Sequence, residues 1–218
     1  MKPAHSAKPA KLLPLLPLLA VLIAGCSALQ PANVPVAAVY RLDTVASIPA
    51  PDKAIGNPPA SILIGNIRAA AGFDSNRMLF MRQPHRVEEF QQSQWQKPPA
   101  AMLMPLVTSA LESSGLFKVV LQAPSALQTT YRLDLEIRNL QQDFTSTPSR
   151  VHFVLRAHLS DNQNQQITAW REFDVNIATP TEDAYGGVLA SNQAVTQALQ
   201  QLTAFCAEQL GTLKGKQP

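Results

Sequence analysis

The chain has 218 residues, of which 18 are Lys or Arg and 15 are Asp or Glu, with a formal net charge of +3 and a pI near 9.0. Two cysteines exclude a disulfide scaffold, because at most one bridge can form. The charge excess sits at the front: Lys2, Lys8 and Lys11 precede the first acidic residue, Asp43, and the remainder has equal numbers of basic and acidic residues, so composition gives no argument for nucleic acid or an anionic surface.

The first informative stretch is Leu18-Leu19-Ala20-Val21-Leu22-Ile23-Ala24-Gly25-Cys26. A basic start, a short apolar core and a small-residue exit are the parts of a secretory signal peptide. The apolar run from Leu12 to Ala24 is too short to span a bilayer, and Pro14 and Pro17 interrupt it. Ile23-Ala24-Gly25-Cys26 resembles a bacterial lipobox. That resemblance implies cleavage between Gly25 and Cys26, with Cys26 carrying diacylglycerol. A signal-anchor helix, or an ordinary cleaved signal with an incidental cysteine, are the competing readings. Each buried CH₂ of an acyl chain contributes about 0.8 kcal/mol, so two or three chains hold a protein stably without spanning. The expected compartment is the periplasm, and Ser27 after the cysteine points to the outer membrane by a generalisation from enteric bacteria. With Cys26 lipidated, Cys206 has no partner and is read as a small buried hydrophobe.

The expected organisation is a signal peptide at 1–25, a lipidated cysteine and flexible spacer at 26–38, one folded domain at 39–212 and a polar tail at 213–218. Pro31 and Pro35 mark the spacer. Val39 to Val45 alternates apolar and polar, as a strand does. Pro49, Pro51, Pro58 and Pro59 then make a loop. Ser61 to Ile67 reads as one buried strand, and 69–75 as a turn. Met78 to Arg82 and Arg86 to Phe90 read as a hairpin around Pro84-His85. The polar continuation from Gln91 to Gln96 suits a sheet edge.

Met102, Leu103, Leu106, Val107, Ala110 and Leu111 recur at helical spacing, with Pro98 and Pro99 at the front and Gly115 as the stop. Pro105 inside this pattern costs about 3 kcal/mol in an unkinked helix. The helix therefore starts near Met104 or bends at Pro105. Phe117 to Leu121 begins a further strand.

Three long alternating stretches follow: Tyr131 to Leu140, Val151 to Leu159 and Ile167 to Ile177. Together they predict a β-meander with one face in the core and one in water. The outward positions carry Arg132, Asp134, Glu136, Arg138, Arg156, Glu172 and Asp174, which cross-strand charge pairs explain without catalysis. Trp170 also falls outward; it is read as covered by a loop, the alternative being a partly exposed contact residue. Trp95 is read as a packing residue. The last helix is expected over Ala184 to Leu210, ended by Gly211. The predicted fold is therefore α+β: a single domain with a mainly antiparallel twisted sheet and two main helices packed on one face.

Site chemistry is sparse. His5 leaves with the leader, and His152 and His158 lie about 20 Å apart along one strand, too far to share a metal. No zinc, phosphate-loop or nucleophile-elbow motif is present. No catalytic, metal-binding or cofactor-binding residue is assigned.

Several short motifs together resemble the ABC-type transport auxiliary lipoprotein family. They are Tyr40-x-Leu42, Ala70-Ala71-Gly72-Phe73-Asp74 leading into Arg77 to Phe80, and Trp95-x-x-Pro98-Pro99-x-x-Met102-Leu103. Leu111, Gly115-Leu116-Phe117, Val119-Val120, Tyr131-x-Leu133 and the glutamine-rich last helix continue the pattern. Gln83-Pro84-His85-Arg86 and Phe90-Gln91 stand where many members have a tyrosine-rich hairpin. The resemblance implies a non-enzymatic accessory of an MCE-type intermembrane lipid transport system. Its partners would be the membrane, through the lipid anchor, a periplasmic MCE-domain protein and its ABC transporter, with homo-oligomeric rings also implied and no nucleic acid. An outer-membrane assembly or envelope-integrity lipoprotein is the alternative, and a periplasmic hydrolase a third.

Overall fold

A computed structural model describes residues 36–43 and 60–214. The leader, Gly25 and Cys26, the proline-rich loop at 49–59 and the last four residues lie outside the described residues, and the folded unit begins at Ala37.

Strand β7 (Tyr131–Asp143) is the centre of a nine-stranded sheet. On one side it pairs antiparallel with β8 (Arg150–Asp161), which pairs antiparallel with β9 (Gln166–Ala178). This is the predicted meander. The other side of β7 is shared along its length by three short parallel strands. They are β2 (Ser61–Ile64) at Tyr131 to Leu133, β3 (Arg68–Ala69) at Glu136 and Ile137, and β4 (Arg77–Gln83) at Gln141 to Asp143. Strand β6 (Val119–Gln122) adds to β2, also in parallel. The long strands are thus antiparallel and the short flanking pairings mostly parallel.

Strand β5 (Arg86–Trp95) turns back on β4 through the two-residue loop Pro84-His85, as the sequence predicts. Its second half departs from expectation. Ser93 to Trp95 pair with β1 (Ala38–Tyr40), so β1 is the edge there and these three residues, within the stretch read as an edge, are interior. The polar side chains there misled the reading, because the ladder depends on backbone groups alone.

Helix α1 (Pro99–Ser113) starts at Pro99 and continues through Pro105. Pro105 and Ala101 are both exposed. The Ala101 carbonyl, whose N–H partner the proline lacks, therefore lies on the solvent side, where water serves it. The buried stripe is Met102, Leu103, Val107, Ala110 and Leu111, and Gly115 at φ +64° ends the helix.

Helix α2 (Ala184–Lys214) runs past Gly211, where the sequence pattern stopped it. It is buried along a broad face. Ala190, Ala194 and Ala198 repeat every four residues with 1 % exposure or less, so the helix lies close on β8 and β9. Both helices join one core with the inward residues of the meander, including Leu133, Leu135, Phe153, Leu155 and Phe173. Trp95 packs into it, as predicted. Cys206 is fully buried there, and burial pushes its thiol up to about 12, so it is an inert hydrophobe.

Asp183 caps α2. Its Oδ1 accepts the Gly186 N–H at 2.7 Å and the Thr181 hydroxyl at 2.7 Å. These donors, the Gly186 amide foremost, hold the carboxyl below its usual range. Asp183→Ala is expected to cost about 1 kcal/mol in urea unfolding at neutral pH. Because the folded carboxyl is depressed, this contribution is present above the ordinary carboxylate range and fades as pH falls through the folded value. Wild type and variant should converge in acid.

A polar network closes the far end of the sheet. Gln142 Nε2 donates to Ser149 Oγ at 3.0 Å, and Ser149 and Thr179 hydroxyls meet at 2.6 Å. Gln142 Oε1 lies against the backbone of α2, where a Cβ on Gly187 would overlap it. Only glycine allows that approach.

Candidate functional site

Among the described residues the helices cover one side of the sheet and leave the other open. Residues Arg171, Phe173 and Val175 of β9 face the helices: Arg171 Nη2 bonds Glu208 at 3.0 Å, and the Phe173 and Phe205 rings lie 6.2 Å apart. Trp170, Glu172 and Asp174 alternate with them and face away. Trp170 is 62 % exposed, not covered by a loop as expected. The Arg156 guanidinium lies 5.9 Å from the centre of its ring.

The outward charges pair in two ways. Arg156 reaches Glu172 at 2.8 Å across the β8–β9 ladder, as predicted, and Asp174 is met at 2.9 Å across the same ladder by His152, a partner outside the predicted set. Arg132 instead bonds Asp134 at 2.8 Å, and Arg138 bonds Glu136 at 3.5 Å, each along β7 itself. The register explains the difference. Arg132 stands opposite Ser160 and Asp134 opposite His158, so Arg132 has no carboxylate and Asp134 no Arg or Lys across the ladder. Positions i and i+2 share a face and lie within reach of an arginine. Glu136 does stand opposite Arg156, but Arg156 is turned to Glu172.

One part of this face is hollowed. Asn66, Arg68, Arg132, Asp134, His158, Ser160 and Ile167 line an open depression of about 470 Å³. Its existence follows from a break between β2 and β3. From Ile64 to Arg68 the chain advances four residues while β7 advances only from Leu133 to Glu136. The extra residue bulges, and Gly65 sits at the bend, its N–H bonded to Leu133 O at 2.8 Å. A Cβ on Gly65 would overlap Asp134 Oδ1, so glycine there lets the Asp134 carboxylate fold down over the backbone. Arg132 then clamps it from Nε and Nη2, at 2.9 Å and 2.8 Å. The hydrogen bond to Asp134 raises the Arg132 guanidinium above its already high range, so Arg132 stays charged.

The sequence reading merged Ser61 to Ile67 into one strand and missed Asn66 and Arg68. The lone Gly65 within a strand pattern was the available signal of a bulge. Among the described residues no three His, Cys, Asp or Glu side chains come together as a metal site. His152 and His158 stay separate, one on Asp174 and the other in the hollow. No helix of the described residues is long and apolar enough to cross a membrane.

The folded unit is pinned where it begins. Asn192 of α2 accepts the Asp43 N–H and donates to Arg41 O, and the Tyr40 and Tyr185 rings lie 6.1 Å apart. The segment entering β1 is thus tied directly to the long helix.

Comparison with known proteins agrees with this architecture. The family model of the ABC-type transport auxiliary lipoprotein component matches residues 40–203. Among solved structures, a Xanthomonas campestris protein superposes with a TM-score of 0.69 at 23 % identity, covering 82 % of this chain and 99 % of its own. An uncharacterized protein gives a TM-score of 0.59 at 12 % identity, covering 80 % and 99 %. At such identities these two establish the fold alone. The comparison with curated proteins found no match.

Proposed function

The chain belongs to the ABC-type transport auxiliary lipoprotein component family, and from that premise we propose that it is a non-enzymatic docking lipoprotein of an MCE-type intermembrane lipid transport system. In this reading Cys26, freed by cleavage after Gly25, carries the lipid anchor at the periplasmic side of the outer membrane. The domain docks the periplasmic MCE-domain protein that links it to an inner-membrane ABC transporter. Several copies would assemble as a ring around the transported phospholipid.

The observation that carries the reading is the family match across 40–203, which takes in nearly all of the described unit. The spacing supports it. About a dozen residues separate Cys26 from β1, enough to span roughly 40 Å when extended. The domain can therefore reach a partner in the periplasm while its anchor stays in the membrane. The packing of the described residues supports it too: Phe153, Phe205 and aliphatic side chains fill the interior, and the hollow on the open face is lined by polar and charged residues with Ile167 at its rim. A single copy thus offers surfaces for contact rather than a lipid-lined chamber.

Affinity capture of the tagged full-length lipoprotein from detergent-solubilised envelope tests the proposal. An MCE-domain protein and an ABC transporter subunit are expected in the eluate by mass spectrometry. Recovery of outer-membrane assembly proteins in their place would overturn it.

A further inference from the structure

The hollow on the open sheet face is rich in hydrogen-bond donors and poor in acceptors. Arg132 engages Asp134 through Nε and Nη2. Three of its five N–H groups, two on Nη1 and one on Nη2, are left for another partner. The same contact occupies Asp134, the anionic side chain among the lining residues. Arg68 on β3 makes no ion pair among the described residues. His158 and the Asn66 amide contribute further N–H groups, while the Ser160 hydroxyl already points at Arg132 O, 3.4 Å away. The unmet capacity is for an acceptor-rich anion.

The donors come from separate segments: the bulge, β3, β7 and β8. A planar carboxylate is satisfied by one arginine fork, whereas a phosphate presents three acceptor oxygens in different directions. The open depression of about 470 Å³ admits such a group together with whatever bears it. Ile167, 65 % exposed, forms an apolar rim, and Trp170 stands opposite His158 in the ladder beside it.

We propose that this hollow is a phosphate-recognition site, with Arg68 supplying the uncommitted charge and Arg132, His158 and Asn66 the further hydrogen bonds. Gly65 and Asp134 act as positioning residues by fixing Arg132. The proposal stands on this geometry and does not depend on the transport reading.

The test uses the full-length lipoprotein in a non-ionic detergent, with Trp170 emission as the readout. Trp95 is buried at 3 % exposure and Trp170 exposed at 62 %, so a Trp170→Phe control assigns the signal. Three probes are titrated: inorganic phosphate, dihexanoyl phosphatidylglycerol and, as the uncharged control, dihexanoylglycerol. Saturable binding of a phosphate-bearing probe and none of the control is expected. Arg68→Ala should weaken binding by about tenfold or more, the scale of a lost charge-assisted contact, with the circular dichroism unchanged. Arg68→Lys should restore part of the affinity. Equal binding of both phosphate probes supports the site and identifies free phosphate as sufficient. Binding of the phosphatidylglycerol alone supports it and identifies a lipid headgroup. No saturable binding of either, binding of dihexanoylglycerol equal to the phospholipid, or an unchanged affinity in Arg68→Ala would overturn it.

Discussion

Replacing Cys26 with alanine is expected to abolish lipid labelling and remove the protein from the outer-membrane fraction. The wild type should incorporate a clickable palmitate analogue and, by intact mass, begin at Cys26. The variant should incorporate none and either keep the leader or be cut elsewhere. The size of the effect follows from the anchor. One acyl chain gives only marginal, reversible membrane binding, and stable attachment needs two signals. Removing the diacylglycerol takes away the attachment, not a fraction of it. No helix of the described residues is long and apolar enough to cross the membrane in its place. Retained label in Cys26→Ala, or unchanged residence in the outer membrane, would disprove the anchor.

Phe153→Ala is expected to destabilise the domain by about 3–5 kcal/mol in urea unfolding. Phe153 is fully buried in the first half of β8, inside the core that both helices close. Truncation removes its transfer free energy and leaves a cavity that the surrounding strands cannot collapse, since β8 is held on both sides along its length. A domain of this size has only about 5–15 kcal/mol to lose. Trp170→Ala is the internal contrast. Its ring is larger but mostly in water, so the change should stay within about 0.5 kcal/mol. Comparable losses for the two variants would mean that the open face of the sheet is covered.

What was legible in the sequence follows from how each element is stabilised. The three long strands and α1 have one wet face and one dry face, so alternation and helical spacing revealed them. The core side of the meander was read correctly for the same reason, as was the burial of Cys206. The failures share a different cause. The pairing of β5 with β1, and of β2, β3 and β4 along a single edge of β7, consists of backbone hydrogen bonds between segments far apart in the chain. Side-chain pattern carries no record of such partners. The extension of α2 past Gly211 reflects a helix already held by its packed face, where one glycine costs only about 1 kcal/mol.

The candidate site divides along the same line. The outward charges were predicted, because alternation places them. The hollow was not, because it arises from one extra residue at Gly65 that reorients Asn66 and Arg68. The exposure of Trp170 was misjudged because sequence does not show whether a loop returns over an outer strand. Gly25 and Cys26 remain assigned by sequence pattern, outside the described residues.

Direct docking between this lipoprotein and an MCE-domain protein is the step on which the proposed function rests. It is tested most directly by biolayer interferometry, with the full-length lipidated protein in nanodiscs and the purified MCE-domain protein in solution. Saturable binding is expected, with a Kd of about 1 µM or tighter, corresponding to about −8 kcal/mol. Empty nanodiscs should give no binding. A response no greater than that of empty nanodiscs, at partner concentrations well above this range, would contradict it.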